Sequence, residues 1–192
     1  MTPQRRVSLP LVAGYAGLAA FFALEATVRG QGSPASLRAT DEDRGTTRAI
    51  VRAFALGACL PLLPGPPTSS RLPRRIAWLG LAMEAGGLAV RAWSMRTLGD
   101  AYTRTLQTGE RQQVVERGPY RFVRHPGYLG TLLAWTGFAL TSRSLPVVGL
   151  VAVVFGRTYA RRIVVEERLL ARALPGYREY ATRTRRLIPF AW

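Results

Sequence analysis

The stretch Glu116–Leu140, "ERGPYRFVRHPGYLGTLLAWTGFAL", decides how the chain is read, because it sets Arg117, Arg121, Arg124 and the only histidine, His125, against an apolar run. Proline is tolerated in the first turn of a helix, where its missing N–H is not needed, so "RHPGYLG" is predicted to open a helix with His125 near the cap and Pro126 just inside. Backbone N–H groups at such a start lack helical partners and favour an anion. Tyr128, Leu132 and Trp135 recur on one helical face, beside Gly127 and Gly130, whose missing side chains would leave room for a flat ligand. The same residues admit a plainer use, with Gly130 allowing close helix packing and Tyr128 serving as an interfacial anchor.

Outward from this stretch, the apolar residues are gathered into five blocks: Leu9–Val28, Ala49–Pro64, Ile76–Trp93, Tyr128–Leu140 and Leu145–Ala160. Only the first comfortably reaches the roughly 20 residues that a spanning helix needs. The fourth is short and is followed after "TSRS" by the fifth, so Tyr128–Ala160 is predicted to form a tight helical hairpin. A cleaved signal sequence competes for the first block, but no small-residue cleavage site leading into a soluble domain is evident, and a span is the better reading. The composition, 48% hydrophobic with a mean hydropathy of +0.06, does not by itself separate membrane from soluble proteins; the blocks do.

The net charge of +16 comes from 27 basic residues, all of them arginine. With five apolar blocks present, this excess reads as positive-inside topology and lipid contact rather than nucleic-acid binding. Five spans with a cytoplasmic C-terminus put 21 of the 27 arginines inside and leave Arg5, Arg6, Arg71, Arg74, Arg75 and Arg143 outside. A single cysteine, Cys59, excludes an internal disulfide and is expected to be a small packing residue. One histidine without a partner cluster argues against a protein-ligated metal.

Between the blocks, Arg29–Arg48 reads as a polar loop and Pro64–Arg75 as a proline-rich connector. Ser94–Val123 reads as polar, with an extended pair of arms turning at Thr108–Glu110. The fifth block should run on into an amphipathic helix, broken at Pro175 and Gly176, before a basic tail. The polar mass thus follows spans three and five, which can meet on one side of the membrane.

Further chemistry is carried by "RRIVVEERLL", Arg161–Leu170. Arg162 and Glu166 stand at i, i+4, the spacing of an ordinary helix pair, and Glu167 falls on a neighbouring face. Glu25, Glu84 and Arg91 are ionisable residues inside apolar blocks and are functional candidates on that ground, with pairing of Glu84 and Arg91 across one face as the structural alternative.

Together these residues resemble the isoprenylcysteine carboxyl methyltransferase family of integral-membrane enzymes. The motif G-x-Y-x-x-x-R-H-P-x-Y-x-G is matched at Gly118, Tyr120, Arg124, His125, Pro126, Tyr128 and Gly130, followed by "EE" at Glu166 and Glu167 and by "YREYATRTRRLIP" from Tyr177. The resemblance runs from Arg91 to Pro189, with "DRGT" at Asp43–Thr46 a fainter echo. It implies an all-α integral membrane protein with about five transmembrane helices, a helix-four/helix-five hairpin and a cytoplasmic pocket for S-adenosylmethionine. It also implies a single domain over 1–192, with variable N-terminal spans in 1–75 and a family-like catalytic core in 76–192. By position, His125, Pro126, Tyr128 and Gly130 would line the cofactor pocket, framed by Tyr120 and Arg124 and joined by Glu166. Arg162 and Glu167 would serve the reaction, the arginine fork orienting an acceptor carboxylate and the glutamate holding the cofactor or aligning Arg162.

The implied activity is methyl transfer to a lipophilic or lipidated acceptor, with membrane lipid as surroundings and no nucleic acid. A phospholipid or thiol methyltransferase and an NADPH-dependent sterol-type reductase are the competing enzymes, and a non-catalytic scaffold the third class. Thr131 after Gly130, together with the Glu166–Glu167 pair, favours the methyltransferase. The all-arginine, alanine- and glycine-rich composition suggests a high-GC bacterium, hence the inner membrane and, in place of a prenylated protein, a smaller lipophilic acid or isoprenoid-related acceptor.

Overall fold

The computed structural model describes residues 8–27, 45–63, 71–99 and 114–188. These form six α-helices: α1 Leu9–Thr27, α2 Thr46–Cys59, α3 Arg74–Leu98, α4 Pro126–Thr141, α5 Leu145–Ala173 and α6 Tyr177–Arg183. Short 3-10 turns at Leu60–Leu62 and Gly118–Arg121 join them, and no strand occurs among the described residues. The expected arms with a turn at Thr108–Glu110 lie outside the described residues, as does most of the Arg29–Arg48 loop.

Helix boundaries follow local chemistry closely where proline or glycine sets them. His125 caps α4 with Pro126 at its first position. Leu174, forced out of the helical region by the proline that follows it, ends α5, and Gly176 takes φ 80° to redirect the chain into α6. The predicted break at Pro175–Gly176 and the α4/α5 hairpin are both present. Elsewhere the helices overrun the apolar blocks. α2 starts at Thr46, inside the segment expected to be loop, and α3 continues through Ser94–Leu98, expected to be outside the helix.

α3 and α4 form the most extensive interface, antiparallel and built on glycine. A Cβ added at Gly87 would come 2.4 Å from the Ala134 nitrogen, and one at Gly137 would come 2.5 Å from the Glu84 nitrogen. Backbones that approach this closely through small residues attract each other by dispersion. A second layer is aromatic: Trp135 of α4, fully buried, stacks on Phe54 of α2 at 5.0 Å and 6°, and lies 4.9 Å from Phe155 of α5. Phe21 of α1 and Phe138 meet the same indole edge-on. The Leu132–Trp135 face, expected to leave space for a flat ligand, is therefore filled by α2 and α5. Cys59 is exposed on α2 and does not pack in this core.

At one end of the bundle the α4/α5 turn is tied to the start of α3: Leu72 N donates to the Arg143 carbonyl at 2.9 Å and Arg143 Nε donates to the Leu72 carbonyl at 2.7 Å. Arg71 and Ser144 form an isolated bridge there. This end holds Arg71, Arg74, Arg75 and Arg143, four of the six arginines that the sequence assigns to the outer side; Arg5 and Arg6 lie outside the described residues. At the opposite end lie the C-terminus of α3, the start of α4 and the second half of α5. Of the described helices, α1 alone is long and apolar enough to cross a membrane by length and composition. α2 and α4 are only 14 and 16 residues long, and the apolar runs of α3 and α5 are interrupted by charged residues, Glu84 and Arg91 in α3 and Arg157, Arg161 and Arg162 in α5.

Candidate active site

The second end of the bundle gathers the residues singled out from the sequence. The 3-10 turn Gly118–Arg121, opened by Gly118 at φ 59°, buries Tyr120, and its carbonyl accepts a hydrogen bond from the Tyr180 hydroxyl at 2.6 Å. Burial raises that hydroxyl to about 12, so it remains a donor. The tail then lies along the start of α4: Arg124 N donates to the Arg185 carbonyl at 2.7 Å and His125 N to the Arg186 carbonyl at 3.0 Å.

Glu167 is the hub of a first polar cluster. Its carboxylate accepts from Arg124 Nε at 2.7 Å and Arg186 Nε at 2.8 Å, with His125 Nε2 at 3.4 Å. The Arg124 Nη1 also donates to the carbonyls of Ala181 and Thr184, fastening α6 to the same point. Burial works against ionising Glu167, but the hydrogen bonds from His125 and Arg124, the charge of Arg124 and the hydrogen bond from Arg186 outweigh it. They hold its carboxyl down at about 2.

A second cluster adjoins it one turn further along α4. The Tyr128 hydroxyl donates to Glu166 Oε2 at 2.5 Å and accepts from Arg162 Nε at 3.3 Å. Arg162, 2% exposed, also donates from Nη1 to the hydroxyls of Thr46 at 2.8 Å and Thr47 at 3.2 Å. The Tyr128 ring lies parallel to His125, with centroids 5.5 Å apart, and leans on Tyr159 at 4.9 Å. The stacked His125 and Tyr128 rings join the two clusters.

Tyr120, Arg124, His125, Pro126, Tyr128, Arg162, Glu166 and Glu167 are thus brought to one end of the bundle. Gly130 lies deeper, with the space of its missing side chain turned to α3: a Cβ there would come 2.7 Å from the Arg91 nitrogen and the Gly87 carbonyl. Arg91 does not need Glu84 as a partner. It pairs with Glu25 of α1 at 2.5 Å, sits over the Phe21 ring and donates from Nη1 to the Gly127 carbonyl at 3.0 Å. Glu84 lies against Gly17, its two oxygens buried without a hydrogen-bond partner among the described residues. Three contributors were not singled out from the sequence: Arg186, one of several arginines in the tail, and Thr46 and Thr47. Thr46 stood inside the quoted "DRGT", yet nothing local marked its hydroxyl.

Residues 76–175 match the family model described as phospholipid methyltransferase. Over 97 residues the chain is 35% identical to the cobalt-zinc-cadmium resistance protein CzcN of Cupriavidus metallidurans, covering 50% of this chain and 45% of that protein. Over 119 residues it is 32% identical to protein-S-isoprenylcysteine O-methyltransferase B of Arabidopsis thaliana, 60% of each chain, and 29% identical to a probable protein-S-isoprenylcysteine O-methyltransferase of Oryza sativa. The chain spans about half to three fifths of the length of the curated relatives it matches. A solved structure of the eukaryotic intramembrane Ras methyltransferase, isoprenylcysteine carboxyl methyltransferase, shares the fold with a TM-score of 0.66 at 20% identity, over 96% of this chain and 69% of that one. The chain belongs to the phospholipid methyltransferase family.

Proposed function

We propose that this family member is a membrane methyltransferase that uses S-adenosylmethionine to methylate a lipophilic acceptor, the carboxyl of an isoprenylcysteine-like or other lipidic acid. The observation that carries the proposal is the joining of the two clusters: a buried arginine fork at Arg162 and a carboxylate–tyrosine pair at Glu166 and Tyr128 stand beside His125 at the start of α4.

The donor set fits the cofactor. Tyr128 offers a ring face and Glu166 a negative charge to a sulfonium, while His125, Pro126 and Tyr120, with Arg124 behind them, would hold its polar parts. When bound, S-adenosylmethionine supplies a methyl group already activated by its sulfonium. A lipidic carboxylate is ionised at neutral pH, so the protein need only position it and exclude water, and no general base is required. Arg162 would bring a charge-assisted guanidinium donor to that carboxylate. Glu167, whose partners are His125, Arg124 and Arg186, suits the role of supporting the cofactor side better than that of aligning Arg162.

Methylation of a phospholipid amine is the second reading, favoured by the description of the matching family model. The charge balance opposes it: Arg124, Arg162 and Arg186 outnumber Glu166 and Glu167, and a cationic site suits an anionic acceptor. Calorimetry in detergent should show binding of S-adenosylmethionine and of its demethylated product but not of NADPH. His125→Ala and Tyr128→Ala should each weaken that binding about 10-fold or more, the cost of one lost polar or stacking contact of roughly 1.4 kcal/mol. Unchanged affinity in both variants removes this site from consideration, and binding of NADPH instead returns the chain to the reductase class.

The membrane placement proposed with this function is five spans in a bacterial inner membrane, with the site at the cytoplasmic face. A reporter fused after Trp192 should then report the cytoplasm and one fused before Met1 the outside. Both on the same side would mean an even number of spans, with the 16-residue α4, only about 24 Å long, the first suspect.

A further inference from the structure

We infer that Thr46 and Thr47, in the first turn of α2, are positioning residues for Arg162, so that the region before the family match completes the active site. The inference rests on the methyltransferase reading above and deepens it. The family match begins at residue 76, and α2 lies wholly before it. Arg162 nonetheless spends its Nη1 on the two threonine hydroxyls, across a separation of 116 residues in the case of Thr46, and its Nε on Tyr128. Two edges of one planar group are thereby fixed from two different helices. A free arginine side chain loses rotamer freedom when it grips an acceptor, and a guanidinium held at two edges has already lost it.

Two further features say that these threonines are placed for this contact. Threonine at a helix start ordinarily serves as the cap, but the cap of α2 is Gly45, in the left-handed region at φ 75°, and Thr46 and Thr47 follow it inside the helix. Their hydroxyls are thus directed to Arg162 while glycine makes the turn. The register of α2 is also locked further along: a Cβ at Gly57 would come 2.9 Å from the Trp135 ring and 3.0 Å from Phe155. α2 therefore sits at one height against α4 and α5, and its first turn is delivered to Arg162 at a set depth.

The test uses the full chain in detergent, with S-adenosylmethionine labelled in its methyl group and a membrane lipid extract as acceptor. In Thr46→Val/Thr47→Val, which keeps shape and removes both hydroxyls, turnover should fall about 10-fold or more while the dissociation constant for S-adenosylmethionine stays within about 2-fold. Thr46→Ser/Thr47→Ser should restore turnover to within about 3-fold of the parent, which a merely structural role of the methyl groups would not allow. A second readout does not depend on activity. In arginine-labelled protein, the Arg162 Nη1–H resonance, identified by its loss in Arg162→Lys, should be protected from exchange in the parent and the serine variant and exposed in the valine variant. Full turnover with a protected resonance in the valine variant, or a serine variant as defective as the valine one, overturns the inference. If the parent transfers no label, the methyltransferase reading fails, and the resonance still decides whether the threonines hold Arg162.

Discussion

Arg162→Lys should leave S-adenosylmethionine binding nearly unchanged and slow methyl transfer by about 30-fold to 1,000-fold. The site explains the split. Arg162 is buried and held from α4 by Tyr128 and from α2 by Thr46 and Thr47. His125 and Arg124, which the proposed function assigns to the cofactor, are held separately, through Glu167 and the tail. Lysine keeps the charge but loses the planar fork, so it cannot reach Tyr128 and the threonines together while still facing a carboxylate. One positioned, charge-assisted contact of roughly 2–4 kcal/mol accounts for the range. Label transferred from the cofactor into a lipid extract measures turnover, and calorimetry measures binding. Normal turnover in this variant would defeat the role assigned to Arg162, whatever the glutamates do.

The parts of this architecture that were legible in the sequence are those fixed by backbone chemistry within a few residues. "HPG" starts α4 because proline is tolerated only there, and "LPGY" ends α5 because proline restricts the residue before it and glycine accepts the turn. The hairpin followed from four polar residues between two apolar runs. What the sequence left open was set by tertiary contact. Gly130 served equally well as a pocket wall or as a packing notch until α3 was seen lying against it. Trp135 shared a helical face with Tyr128, yet one is enclosed by Phe54 and Phe155 while the other reaches Glu166. Arg186 was indistinguishable from its neighbours because its role comes from a tail that runs beside residues 123–125, some 60 positions earlier. The site's residue types were readable from motif resemblance, but the division into an Arg162 cluster and a Glu167 cluster was not. Arg162 and Glu167 are close in sequence, and only their partners separate them.

That division leads to the second large effect, at Glu167. Glu167→Ala should release the tail from the start of α4, because it leaves the buried His125 and the largely covered Arg124 facing each other and Arg186 without a carboxylate between them. Removing one member of a buried ionic cluster typically costs about 3–5 kcal/mol, and the partial exposure of Arg186 lowers this to roughly 2–4. A docking equilibrium between tail and helix would shift by about 30-fold to 1,000-fold. The amide hydrogens of Arg124 and His125 report it directly, since they are bonded to the carbonyls of Arg185 and Arg186, and their exchange protection should collapse in the variant. Acid should act in the same way on the unmodified chain. The Glu167 carboxyl is held down at about 2 when docked, so its contribution is fully present above the ordinary value near 4.5 and is lost as pH falls from there through 2. Protection at Arg124 and His125 should therefore fall across that window by more than intrinsic exchange accounts for. In Glu167→Gln, which cannot titrate, protection should be lower from the outset and flat with pH. Coincident pH profiles for the parent and Glu167→Gln would show that the carboxylate does not hold the tail, and would remove the electrostatic basis for placing His125 and Arg124 on the cofactor side.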